Sequence, residues 1–263
     1  VRSSKPSVTA RHVALTRATF DRPVTPTGDA DAEIRLYRSL GSSPFPRRTA
    51  ETTRMQRRTA FFDSETLRAL DHAVAQMVIV AAGYDGRALR FSSPGVRWFE
   101  VDHPATQNDK RSRLSDLGID PRGITFVPVD LTKDDLEDAL GRAGHDRSRP
   151  SLFLVEGLLG YLSREVSTGL LATTRKLACE GSRMAVAFPT RPRDASTKER
   201  VALRIRATAV SMVGEPWLVR FGPDEPDRML ETAGWRVAAS DNVGGGLVRF
   251  EGRQGVLLAA EPA

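Results

Sequence analysis

Met77-Val78-Ile79-Val80-Ala81-Ala82-Gly83-Tyr84-Asp85-Gly86 is the stretch that decides the fold. Its apolar run, Met77–Ala82, carries no polar break and ends on a glycine turn, which fits a strand buried on both faces. The same signal recurs down the chain. Val96–Val101, Ile124–Val129, Ser151–Glu156, Ser182–Phe188, Trp235–Ala239 and Gly255–Ala260 are further short runs, so seven strands are expected. Helical stretches lie between them. Pro104–Leu117 begins with proline in its first turn, Lys133–Gly141 is short and acidic, Ser163 can cap a helix reaching about Cys179, and Pro223–Ala233 ends at Gly234. Strands alternating with helices give an α/β fold with a largely parallel sheet.

Outward from this core the pattern loosens on both sides. Residues 1–75 read as a helical cap belonging to the same domain, with helical spacing in Val8–Phe20, Asp29–Leu40 and Ala50–Leu70. Two proline-containing stretches, Pro23-Val24-Thr25-Pro26 and Ser42-Ser43-Pro44-Phe45-Pro46, divide it. Residues 76–263 form the α/β part. Within that part, residues 190–221 interrupt the alternation and are expected to be a helical insertion that covers a substrate site.

Composition narrows the classes. In 263 residues, 40% are hydrophobic and 27% charged, which excludes a disordered or collagen-like chain. Cys179 is the sole cysteine, so no internal disulfide and no cysteine-based metal site can form, and no metal is called for. No apolar run is long enough to span a membrane and Val1–Ala10 has no leader-like apolar region, so a cytoplasmic location without membrane attachment is expected. The net charge of +6 invites a polyanion. Against that, the arginines are scattered among carboxylates, and only 6% of residues are aromatic, too few for a base-stacking platform. No nucleic acid is expected. The densest basic cluster is Arg47, Arg48, Arg54, Arg57 and Arg58, opposed by Glu51, and it suits a small anionic group.

Ligands of open α/β sheets bind at the carboxyl ends of the strands. The turn after the first strand has its glycines at Gly83 and Gly86 with Ala88 following, which departs from the G-x-G-x-x-G dinucleotide fingerprint. The second strand ends in Glu100-Val101-Asp102, with Asp102 placed to accept from ribose hydroxyls and Glu100 as its alternate. Asp130 and Leu131 follow the third strand, where Asp130 can equally cap the next helix. Glu156 follows Leu152-Phe153-Leu154-Val155, and a carboxylate at the end of a buried strand needs a partner or a ligand. Acids around a glycine turn suit a ligand with several donors and some positive charge, as in S-adenosylmethionine.

Five segments in order resemble the leucine carboxyl methyltransferase family, in its bacterial S-adenosylmethionine-dependent branch. They are Arg58-Thr59-Ala60-Phe61-Phe62-Asp63, the turn region Val80–Arg90, Phe99-Glu100-Val101-Asp102-His103-Pro104 with Lys110, Val129-Asp130-Leu131, and Glu156-Gly157-Leu158-Leu159-Gly160-Tyr161-Leu162. Thr9–Ala18 is similar to the family's opening helix, whereas Thr25-Pro26-Thr27-Gly28-Asp29-Ala30 departs from its usual acidic turn. The resemblance implies a Rossmann-like seven-stranded methyltransferase sheet, mostly parallel with an antiparallel last strand. It implies that Arg58 holds the cofactor carboxylate, Gly83 packs on its methionine part and Asp102 binds its ribose. Asp130 and Leu131 would flank the adenine, and Glu156 would face the amine or the reacting methyl. Asp85 belongs to the same cofactor set, and Arg87 and Tyr161 to the same motifs.

The expected chemistry is methyl transfer from S-adenosylmethionine to a carboxylate or hydroxyl oxygen of a small molecule, with an anionic acceptor favoured by charge. A carboxylate acceptor is ionised near neutral pH and needs no base, whereas a hydroxyl does. Of the four histidines only His12 and His103 are placed to serve as one, and neither is assigned. The alternatives are an inactive cofactor-binding protein and an NAD(P)-dependent oxidoreductase.

Overall fold

The computed structural model describes residues 5–42, 49–191, 216–238 and 255–263. Seven strands form one sheet: β1 (Gln76–Val80), β2 (Arg97–Asp102), β3 (Ile124–Pro128), β4 (Ser151–Val155), β5 (Arg183–Phe188), β6 (Trp235–Val237) and β7 (Val256–Pro262). Their order is β3-β2-β1-β4-β5-β7-β6. Neighbours from β3 to β5 run parallel, and β7 is antiparallel to both β5 and β6. The antiparallel strand is the last in the chain, as the family resemblance implies.

Two apolar layers explain why the central strands read as unbroken hydrophobic runs. Every residue of β1 and β4 is buried. Val78, Val80, Phe153 and Val155 point to one face, where they meet α6 (Leu136–Arg142), α7 (Arg164–Lys176) and α8 (Glu225–Thr232) through Leu140, Leu171 and Leu230. Met77, Ile79, Leu152 and Leu154 point to the other, against Phe61 and Phe62 of α3 (Thr49–Asp71). Truncating one such aromatic, Phe153→Ala for example, costs about 3–5 kcal/mol.

A third apolar cluster fastens the front of the chain to the turns that leave the sheet. Ala14 and Leu15 of α1 (Val8–Arg17) and Leu36 and Tyr37 of α2 (Ala30–Ser39) pack with Tyr84 and Leu89, the latter in the short α4 (Arg87–Arg90). Leu114 of α5 (Pro104–Asp116) completes it.

Local chemistry moves several boundaries. β1 stops at Val80 because Ala81 turns into the left-handed region at φ 59°. β4 stops at Val155, which leaves Glu156 in the turn with Gly157 at φ 69°. Ser163 caps α7 as expected, its hydroxyl accepting from the Val166 amide at 3.2 Å, but the helix ends at Lys176 rather than near Cys179. Asp130 does not cap α6. Its Oδ1 accepts instead from both the amide and the hydroxyl of Thr132, closing a separate turn, and Asp135 caps the helix by accepting from the Asp138 amide at 3.0 Å.

Most of the expected insertion, residues 192–215, lies outside the described residues. Its flanks run alongside one another, since Thr190 bridges Phe221 and the Leu218 amide donates to the Gly160 carbonyl at 2.8 Å. Among the described residues no helix is long and apolar enough to cross a membrane.

Candidate functional site

The chain lays down β1, β2 and β3 in one direction and then crosses to β4 on the far side of β1. That reversal opens a crevice at the carboxyl ends of β1 and β4. Val80 and Val155 are paired in register, so the turns beginning at Ala81 and Glu156 leave the sheet side by side. Ala81 and Gly83 both adopt positive φ, 59° and 54°, and for alanine that conformation is strained. A Cβ placed on Gly83 would sit 2.8 Å from the Cβ of Ala10. Only a glycine lets α1 lie directly on this turn.

Asp102, at the end of β2, binds the same turn. Its Oδ2 accepts from the Gly83 amide and its Oδ1 from the His103 amide at 2.6 Å. Burial pushes its carboxyl above the ordinary value against those two donors. Each carboxylate oxygen still has acceptor capacity for a ligand hydroxyl. Glu100, the alternate from sequence, is unavailable: it is buried against Lys110, whose ammonium stands 2.5 Å from its Oε2 and 2.6 Å from the Asp85 carbonyl. Lys110 is thereby committed to the framework.

Glu156 is surrounded by arginines. Arg17 approaches its carboxylate to 2.6 Å, Arg87 to 2.9 Å and Arg58 to 2.8 Å. These cations hold its carboxyl down at about 2 despite burial, which alone would raise it. Asp85 shares Arg17 and Arg87 and is likewise held well below the ordinary range. From Arg87 the pairing continues away from the crevice through Asp63 to Arg90, then to Glu33 and Arg22. This row alternates in sign and begins and ends on an arginine, so it carries one more positive than negative charge. The end nearest the crevice is Arg58, whose side chain is 27% exposed while its Nε is tied to Glu156.

Two cavities meet there. The smaller, about 180 Å³, has β1 and the Ala81–Asp85 turn as its floor, α1 as its roof, and Asp102 and Glu156 on its walls. The larger, about 220 Å³, lies between α3 and the ends of β5 and β7, with Met55, Phe188, Trp217 and Leu257 supplying apolar wall and Glu51, Arg54 and Arg220 the charge. Arg58, Gly157 and Tyr161 line both.

The fold therefore brings Arg58, Gly83, Asp85, Asp102 and Glu156 together around the smaller cavity. Asp130 and Leu131 stand outside its lining, Asp130 being paired with Lys133 at 2.9 Å. His12, 3.8 Å from Glu51, and His103, whose ring caps α5, line neither cavity. Sequence reasoning missed the role of Arg17. A basic residue in the last turn of a helix is ordinarily accounted for by the helix dipole, so no signal in the sequence set it apart.

Residues 14–175 match the sequence model of the leucine carboxyl methyltransferase family. A protein of Mycobacterium avium (strain 104), provisionally named an S-adenosyl-L-methionine-dependent methyltransferase, is 39% identical over 191 residues, covering 68% of this chain and 60% of its own length. One of the same provisional name from Mycolicibacterium vanbaalenii is 36% identical over 210 residues, covering 70% of this chain and 67% of its own length. The chain thus spans about 60% of the length of the first of these curated relatives. Among solved structures, a DUF574 family protein of Streptomyces avermitilis superposes with a TM-score of 0.61 at 14% identity, covering 98% of each chain. A protein of Thermobifida fusca provisionally named a methyltransferase gives 0.57 at 15% identity, covering 99% of this chain and 96% of its own. At such identities these two likenesses speak to the fold alone.

Proposed function

Because this chain belongs to the leucine carboxyl methyltransferase family, we propose that it transfers a methyl group from S-adenosylmethionine to an oxygen of a small molecule, a carboxylate oxygen before a hydroxyl. The observation that carries this reading is the pair of cavities joined at Arg58, Gly157 and Tyr161. On this reading the smaller takes the cofactor and the larger takes the acceptor.

The donor set suits the cofactor's chemistry. Asp102 has acceptor capacity for the ribose hydroxyls, and Gly83 lies in the lining of the smaller cavity, where the methionine part would pass. The amino-acid end carries both signs, and so does the junction, with Glu156 for an ammonium and Arg58 for a carboxylate. Asp130 and Leu131 are proposed for the adenine on the family pattern alone. When bound, the cofactor supplies an electrophilic methyl group on a sulfonium. The protein's own contribution is to position the two molecules and exclude water between them.

The larger cavity favours an acceptor with an apolar body and an anionic group. Its walls are mostly apolar, and the ion row, with one positive charge in surplus, ends at the junction on the partly exposed Arg58. An ionised carboxylate needs no proton removed, which accords with cavities whose described lining contains no histidine. A hydroxyl would need a base, for which Glu51 is the carboxylate nearest to hand in that cavity.

Incubating the protein with methyl-labelled S-adenosylmethionine and a panel of apolar carboxylic acids and phenols tests the reading. Label that transfers and is released as methanol by mild base identifies an ester and a carboxylate acceptor. Base-stable label on a phenol would replace the carboxylate by a hydroxyl, and hydride exchange with a nicotinamide cofactor would overturn the reading.

A further inference from the structure

Among the described residues, an ion pair that spans much of the sequence is made by Arg17. It comes from the last turn of α1, yet its two contacts are with Asp85 at 2.9 Å and Glu156 at 2.6 Å, on the turns after β1 and β4. Those turns are the two lips of the crevice. The side chain is only 5% exposed and lies across the gap where the strand order reverses. A surface ion pair could not hold a helix in place, but a buried cation shared between two buried carboxylates is costly to separate, because the guanidinium would be left buried without a counter-charge.

The rest of α1 is arranged around this contact. Its amino end is tied to α5, the Ser7 amide donating to the Thr106 hydroxyl at 3.1 Å. In its first turn, Ala10 rests on Gly83. Ala10, Val13 and Ala14 supply the apolar part of the roof over the smaller cavity, beside Thr9 and Arg17, which also line it. Arg17 is an ionic link between this roof and the wall carrying Glu156, and Glu156 in turn fixes Arg58 through its Nε.

We propose that Arg17 is a positioning residue that couples closure of α1 over the cofactor cavity to the placement of Glu156 and Arg58 at the junction with the acceptor cavity. A guanidinium is suited to this task because its planar fork reaches two carboxylates at once, whereas an ammonium is a point charge. The inference rests on the proposed function, since it takes the smaller cavity as the cofactor's. It gives Arg17 no contact with the reacting atoms. Its effect passes through Glu156.

S-adenosylhomocysteine serves as the probe, because no acceptor is needed. Its affinity is measured by calorimetry for the full chain, Arg17→Lys, Glu156→Gln and the double variant. If Arg17 acts through Glu156, the double variant binds within about two-fold of Glu156→Gln alone, although Arg17→Lys by itself loses about ten-fold; coupled neighbours deviate from additivity in this way. Losses that simply multiply would overturn the proposal. In the unmodified protein, hydrogen exchange supplies a readout that survives if the variants do not fold. Binding should slow exchange in residues 8–17 and 156–161 together, and protection confined to one segment would contradict the coupling. If the probe fails to bind the unmodified protein at all, the cofactor reading falls and this inference with it. Binding with multiplicative losses or one-sided protection removes the inference alone.

Discussion

The two cavities are built on opposite principles. Around the smaller one nearly every charged group is already engaged: Asp102 by two amides, Glu156 by three arginines, Asp85 by two of the same. The larger one is mainly apolar wall gathered from α3, β5, β7 and the segment before Phe221, with arginines at its margin. One site is defined by fixed hydrogen bonds and charges, the other by shape. A pre-paired site holds one ligand in one pose, and an apolar cavity admits related molecules of suitable size. The difference suits a constant cofactor beside a variable acceptor.

The largest effect should come from breaking the pre-paired side. Asp102→Ala leaves the Gly83 and His103 amides without their acceptor and removes the proposed ribose contact, and S-adenosylmethionine affinity should fall about 100-fold, or about 2.8 kcal/mol. Calorimetry measures it. Less than three-fold loss would show that the carboxylate serves the turn and not a ligand.

Gly157→Ala tests the junction. The residue holds φ 69°, and an added Cβ would stand 3.7 Å from an Arg58 terminal nitrogen, so the cost is backbone strain of about 1–2 kcal/mol rather than a clash. The expected outcome is a lower melting temperature together with a several-fold loss on both the cofactor and the acceptor side. An effect confined to one side would separate the cavities.

Trp217→Ala sharpens the contrast from the apolar side. With whichever acid or phenol turns over, its KM should rise about ten-fold while cofactor affinity stays within about two-fold, the pattern of lost uniform binding. Equal weakening of both ligands would mean that the wall is shared after all.

The smallest effect lies far from both cavities. His145 is buried at the other end of the sheet, where its Nε2 is 2.9 Å from the Ser151 hydroxyl, and burial holds its imidazole down to about 4 from an ordinary 6.5. The folded protein therefore binds fewer protons there than the unfolded chain. Its contribution is complete above pH 6.5 and lost as pH falls toward 4. His145→Gln should flatten the stability profile of urea unfolding between those values, with cofactor binding unchanged at neutral pH.

What could be read from the sequence divides along physical lines. The strands were legible because burial on both faces writes a local apolar run, and Asp102 and Glu156 because a carboxylate at the end of such a run is out of place. Gly83 was legible as a turn glycine. The partnerships were not. Asp85 was assigned to a ligand, but it is held by Arg17 and Arg87, and Arg17 reaches across 68 residues of sequence. Asp130 had two readings from its neighbours alone, and the turn it makes with Thr132 is a third that spacing did not distinguish from a helix cap. The larger cavity depends on residues remote in the chain, Met55 beside Leu257, with no local signal to join them.

The central claim is that the smaller cavity is an S-adenosylmethionine site organised by Asp102. Its most direct test is a calorimetric titration of the full chain with S-adenosylhomocysteine and, separately, with NADH, repeated on Asp102→Ala. The account predicts saturable one-to-one binding of S-adenosylhomocysteine, no binding of NADH, and a loss of about 100-fold in the variant. NADH binding in preference to S-adenosylhomocysteine, or equal affinity of the variant and the unmodified protein, would contradict it.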